Sequence, residues 1–148
     1  MNTPQPGITQ LNADLAESLR EGRFASLVLF DIDHFHQINA DLGEETGDAI
    51  LALVEETVAE LAPVSYRIGG DSHAVLGLSM DSADELRGAV KVAANQRLGA
   101  HVSMSGGGVS VAPDLLVSSE ETERLLYAAA SQMLALAKSG GRDEVVWL

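Results

Sequence analysis

Tyr66-Arg67-Ile68-Gly69-Gly70-Asp71-Ser72-His73-Ala74-Val75-Leu76 runs as strand, glycine turn, carboxylate and second strand. Two strand-like flanks around a Gly-Gly pair predict a short hairpin. Upstream, Leu27-Val28-Leu29-Phe30-Asp31-Ile32-Asp33 is another apolar strand that ends in carboxylates. Two strands that each deliver an Asp where the ladder stops can place both acids around one hard cation. Mg²⁺ takes one or two protein carboxylates and fills its other sites with water and phosphate oxygens. Asp31 and Asp71 are therefore candidate ligands of a metal-dependent nucleotide site. The bland alternative is a pair of solvated loop acids, with Asp33 as a helix N-cap. An EF-hand is excluded, because Phe35 stands at the fifth position of a loop begun at Asp31.

Working outward, strands alternate with helices. Leu11, Leu15 and Leu19 share one face of a predicted short helix over residues 9–21, behind a Pro- and Gly-containing tail. Residues 25–30 form a nearly continuous apolar run, the pattern of a strand covered on both faces. A helix is predicted over 48–61 from the stripe Ile50, Leu51, Val54, Val58 and Leu61, with Pro63 at its end. Ser82 and Glu85 have capping-box spacing for a helix running to 98. Residues 100–111 are strand-like, but Gly106-Gly107-Gly108 calls for a bulge or a close backbone approach. Ser119 and Thr122 offer caps for a last helix whose buried stripe is Leu126, Ala130, Met133 and Ala137, and residues 145–147 close as an edge strand. The order β-α-α-β-β-α-β-α-β predicts an α/β (α+β) fold with a mixed sheet and flanking helices, like polymerase palm and nucleotidyl cyclase domains.

Composition limits the functions open to this chain. A length of 148 residues suits one domain. The division expected is a tail and short helix over 1–23 and a single domain over 24–148. A formal charge of −13 argues against general nucleic-acid binding. No apolar run approaches the ~20 residues of a membrane span, and the start carries no basic-then-apolar signal. The absence of Cys removes disulfides and thiolate chemistry. A soluble cytoplasmic protein is expected, with neither nucleic acid nor membrane among its partners.

Four blocks resemble the GGDEF domain, the diguanylate cyclase fold: Asp31-Ile-Asp-His-Phe-His-Gln-Ile-Asn39, Gly47-Asp48, Arg67-Ile-Gly-Gly-Asp71, and Ala137-Lys138-Ser-Gly-Gly-Arg142. The resemblance implies that Asp31, Asp71 and the Ile32 carbonyl hold Mg²⁺ or Mn²⁺, with Asp71 catalytic. It implies that Asn39 and Asp48 read guanine, with Gly69 and Gly70 in the turn over the nucleotide. It implies that Lys138 and Arg142 grip the triphosphate. A carboxylate and an amide can match the guanine edge, which adenine cannot satisfy, so GTP is favoured over ATP. The residues alone leave other roles open: helix caps for Asn39 and Asp48, a helix C-terminus for Lys138, a plain turn for the glycines.

The signature here is Gly69-Gly70-Asp71-Ser72-His73, so Ser72 stands where the family has an acid and His73 where it has Phe. His73 in an apolar slot calls for a hydrogen-bond partner or solvent. The four histidines, His34, His36, His73 and His101, raise zinc as a minor alternative. The Arg-x-x-Asp product-inhibition motif is missing, with Glu60-Leu-Ala-Pro63 in its span. Three functions follow from the resemblance. One is a GTP-using cyclase that makes a cyclic dinucleotide as a homodimer. Another is a degenerate module that binds GTP or a protein partner. The third is a stand-alone cyclic-oligonucleotide synthase like the palm domains of CRISPR-linked polymerases, acting in defence signalling.

Overall fold

A computed structural model describes residues 7, 10, 11, 13, 14, 17, 25–62, 64–111 and 120–148. Strand β1 (Ala25–Ile32) leads into helices α1 (Phe35–Leu42) and α2 (Glu44–Leu61). The hairpin β2 (Val64–Arg67) and β3 (Ser72–Leu76) follows, then α3 (Met80–Leu98), β4 (Met104–Val111), α4 (Glu120–Ser139) and β5 (Val145–Trp147). The sheet order is β2-β3-β1-β4-β5. β1 is antiparallel to both of its neighbours, and only β5 runs parallel, to β4. The mixed sheet and the element order agree with the sequence, although none of the predicted ranges marks the helix at Phe35–Leu42, and β5 is an edge strand.

β1 sits at the centre because it is apolar on both faces. Val28, Phe30 and Ile32 enter one core with Ile50, Val54 and Val58 of α2 and Leu86 and Val90 of α3. Leu27 and Leu29 enter the other with Tyr66, Ala74, Val109 and Ala130 of α4. Leu11 is also fully buried in that second core. Leu15, Leu19, Pro63 and Ser119 lie outside the described residues.

Several boundaries differ from expectation. α2 begins four residues before Asp48, because Gly43 at φ 89° breaks the chain between α1 and α2. Glu44 and Glu45 then occupy its first turn, where carboxylates suit the helix dipole. The capping box of α3 is Ser79 with Ser82, not Ser82 with Glu85: the Ser79 hydroxyl accepts from the Ser82 N–H at 3.1 Å, and Ser82 Oγ accepts from the Ser79 N–H at 2.8 Å. Thr122 lies inside α4 and so is no cap. β4 starts at Met104, and residues 101–103 run up to it as loop.

The glycine triplet answers to close approach, not to a bulge. Its register with β1 is unbroken from Gly106 to Gly108. A Cβ on Gly107 would come within 2.1 Å of the Ala130 carbonyl and the Leu134 nitrogen of α4. Gly106 and Gly108 are covered by the rings of Phe30 and Trp147. The helix backbone thus rests directly on the strand backbone.

Candidate functional site

β1 and the β2–β3 hairpin meet where their ladders end. Asp31 pairs with Ser72 across β1 and β3, and the Ser72 hydroxyl donates to Asp31 Oδ1 at 2.5 Å. The Lys138 ammonium, from the last turn of α4, donates to Asp31 Oδ2. Asp31 itself is largely buried, its side chain 17% exposed. Lys138 is therefore held by a strand-end carboxylate and does more than decorate a helix C-terminus. The Ile32 N–H donates to the Asp71 carbonyl at 3.2 Å, which draws the hairpin turn onto the end of β1.

Asp71 lies against this cluster. Burial pushes its carboxyl above the usual range and the charge of Asp31 adds to the rise, while its own backbone hydrogen bond and Lys138 pull the other way. Two neighbouring carboxylates with one ammonium, bound to Asp31, carry excess negative charge, and their donors are hard oxygens. This fits Mg²⁺ or Mn²⁺ better than softer metals. Among the described residues no group of three or more His, Asp or Glu converges as a metal site, so a cation here would rest on Asp31, Asp71 and backbone or substrate oxygens. The histidines do not assemble a zinc site: His34, His36 and His101 are exposed and His73 is buried in the sheet.

The turn between the acids is shaped by Arg67, whose role the sequence did not disclose. Its Nε donates to the Gly69 carbonyl at 3.2 Å and its Nη2 to the Gly70 carbonyl at 2.8 Å, while Nη1 pairs with Glu55 at 3.6 Å. Neither glycine adopts positive φ, so the turn does not depend on the conformational freedom of glycine. At Gly70 an added Cβ would meet nothing within 4 Å, so the turn faces open space.

Asn39 packs against Gly47, the chain neighbour of Asp48, where α1 and α2 meet. A Cβ on Gly47 would lie 1.7 Å from Asn39 Oδ1, so the amide occupies the space beside the Gly47 backbone, one residue from Asp48. Asn39 lies within α1 and Asp48 within α2, and neither is a helix N-cap. Arg142 follows α4 in the turn to β5, with φ 68° and its N–H donating to the Ala137 carbonyl at 2.9 Å.

Two residues depart from what the sequence suggested. His73 is buried opposite Phe30, and neither ring nitrogen finds a partner among the described residues. Burial and the nearby Arg67 charge both lower its pKa, so the ring stays neutral. Asp33 caps no helix. Its buried carboxylate accepts from Ser103 Oγ at 2.6 Å, Ser105 Oγ at 2.5 Å and the Asp143 N–H at 3.0 Å.

Residues 8–144 match the family model described as "Diguanylate cyclase, GGDEF domain". The chain belongs to the GGDEF family. The GGDEF domain of DgcB from Caulobacter crescentus, solved in complex with c-di-GMP, superposes with a TM-score of 0.79 at 24% identity, covering 95% of this chain and 86% of that one. The active GGEEF domain of a diguanylate cyclase from Vibrio cholerae gives a TM-score of 0.73 at 20% identity, covering 94% and 92%. At these identities the likeness establishes the GGDEF fold. An uncharacterised membrane protein of Staphylococcus haemolyticus is 27% identical over 154 residues, 95% of this chain but 40% of that protein. The chain thus spans about two fifths of the length of that relative. Among the described residues no helix is long and apolar enough to cross a membrane.

Proposed function

We propose that this GGDEF domain binds GTP with a divalent cation and joins nucleotides into a cyclic dinucleotide. The observation that carries this is the convergence of Asp31 and Asp71 at the end of β1, with Lys138 delivered to the same point by α4. Asp31, Asp71 and the Ile32 carbonyl would hold Mg²⁺ or Mn²⁺. Bound there, the cation would supply Lewis-acid stabilisation of the phosphate undergoing substitution. Asn39 and Asp48 take the guanine edge, and a site paired to its donors leaves buried groups unmatched with ATP. Lys138 and Arg142 balance the triphosphate, while the open face of Gly70 leaves room for the nucleotide over the turn. One domain holds one GTP, so ring closure requires two domains facing each other as a homodimer. A GTP supply places the domain in the cytoplasm.

A second function has an observation of its own. Ser72 and Lys138 engage both carboxylate oxygens of Asp31, so Asp31 is satisfied within the chain without a cation, as suits a module that binds without turnover. Incubation with each NTP and Mg²⁺ or Mn²⁺, followed by mass analysis, separates the two. Cyclic dinucleotide from GTP supports the cyclase. Metal-dependent GTP binding with no product under any metal supports the binding module.

A further inference from the structure

The turn that carries Arg142 is held in an uncommon conformation from three sides. Arg142 and the next residue, Asp143, both have positive φ, 68° and 52°. L-residues other than Gly, Asn and Asp rarely adopt that region, because the side chain crowds the backbone. Strain of this kind persists where the surroundings over-determine it, and it concentrates at functional sites. Here the restraints can be named. The Arg142 N–H is tied to α4 through the Ala137 carbonyl at 2.9 Å. The Asp143 N–H donates to Asp33 Oδ2 at 3.0 Å and to Ser105 Oγ at 3.2 Å. The Asp143 carboxylate is paired with Arg87 and Lys91 of α3.

Asp33 is the hinge pin of this arrangement. It is 4% exposed and is fixed in turn by two serines of the β4 strand and its approach, Ser103 and Ser105. It stands two residues from Asp31, so one short stretch of chain both ends in the acid cluster and clamps the Arg142 turn. A turn needed only for connectivity would put glycine at its left-handed positions, as Gly141 does one residue earlier at φ 120°.

We propose that Asp33 is a positioning residue for Arg142: its buried carboxylate, by holding the Asp143 N–H, locks the backbone that presents the Arg142 guanidinium to a triphosphate. This rests on the proposed phosphate role of Arg142. The lock spares the substrate from ordering that turn on binding, so affinity for phosphate depends on a residue that does not touch it.

The test is a double-mutant cycle on the full chain, read by calorimetry with Mg²⁺-GTP and with Mg²⁺-tripolyphosphate, and with cooperative thermal unfolding confirming the fold of each variant. Arg142→Ala should weaken both ligands. Asp33→Asn should weaken both by about tenfold, the cost of ordering one long charged side chain and its loop. In the Arg142→Ala background Asp33→Asn should change affinity by less than twofold, because residues that act as a unit are not additive. A structural role alone would give the same loss in both backgrounds, and that result overturns the proposal. Should Asp33→Asn not fold, Ser103→Ala serves. It removes the hydroxyl that fixes Asp33 Oδ2, the oxygen that holds the Asp143 N–H, and it should show the same dependence on Arg142. If Arg142→Ala binds both ligands normally, the phosphate role and the positioning role both fall. If it binds poorly and the cycle is additive, only the positioning role falls.

Discussion

Gly47→Ala isolates the proposed base recognition from everything else in the domain. The added Cβ would sit 1.7 Å from Asn39 Oδ1 and 2.9 Å from Asn39 Cγ. Ordinary contact begins near 3.4 Å, so the amide must withdraw by about 1.7 Å (3.4 − 1.7). Asn39 is only partly buried and can rotate toward solvent, and alanine inside a helix is worth about 1 kcal/mol over glycine. The two effects offset each other, so the melting temperature should move little. Recognition should suffer: a hydrogen bond to guanine lost beside an unpaired group costs about 1–3 kcal/mol, roughly 5- to 150-fold in affinity. Calorimetry with Mg²⁺-GTP and Mg²⁺-ATP should show GTP weakened by that factor and ATP hardly changed. Asp48→Ala should collapse the same preference. A folded Gly47→Ala protein with the parental GTP-to-ATP ratio would refute the assignment of Asn39 to the base.

Asp71→Asn should stabilise the metal-free protein at neutral pH. The folded-state pKa of Asp71 is raised by burial and by Asp31, so the folded chain binds its proton more readily than the unfolded chain does. Its charge is therefore a penalty, complete above the raised pKa and lost as pH falls below the unfolded value. Urea titrations from pH 7 downward should show the variant's advantage shrinking, and an advantage independent of pH would contradict this. Ser72→Glu should destabilise the metal-free protein by setting like charges opposite each other and should strengthen Mn²⁺ binding. If the variant binds metal no better than Ser72, the fourth signature position has no ligand role here. His73→Phe should raise stability by about 1–3 kcal/mol by removing buried unpaired nitrogens, measured as a shift in the urea midpoint at constant m. A loss of stability would mean that the imidazole is satisfied.

What the sequence disclosed follows from where its signals are local. The alternation of apolar runs and turns fixed the element order, and β1 was legible because five consecutive buried residues, Ser26 to Phe30, leave no amphipathic stripe. Helix starts differ from the expected ones where backbone conformation decides them. Gly43 and Ser79 set the beginnings of α2 and α3, whereas Asp48 and Ser82 only resembled caps. The Asp31–Lys138 pair spans 107 positions, and only the resemblance linked the two residues. Ser72 lacks the charge the family places there, yet it donates to Asp31. Arg67 binds the carbonyls of its own turn, and Asp33, expected as a helix cap, binds serines and a backbone N–H 70 or more positions away; such partners carry no sequence signature.

The seating of α4 on Gly107 makes that helix a lever with a fixed fulcrum. Its contact residue Leu134 precedes Lys138 by four positions, about 6 Å of axial rise. Any side chain at position 107 would lift the helix at the fulcrum, and the shift would travel undamped through one rigid turn to the ammonium. In a saturation screen scored on nucleotide binding, position 107 should group with the charged residues of the site although it bears no chemistry. Residues of α4 that face solvent, such as Leu136 at 52% exposed, should tolerate almost anything. Sensitivity in this domain would then map the mechanical support of the ammonium as sharply as the ligand contacts themselves.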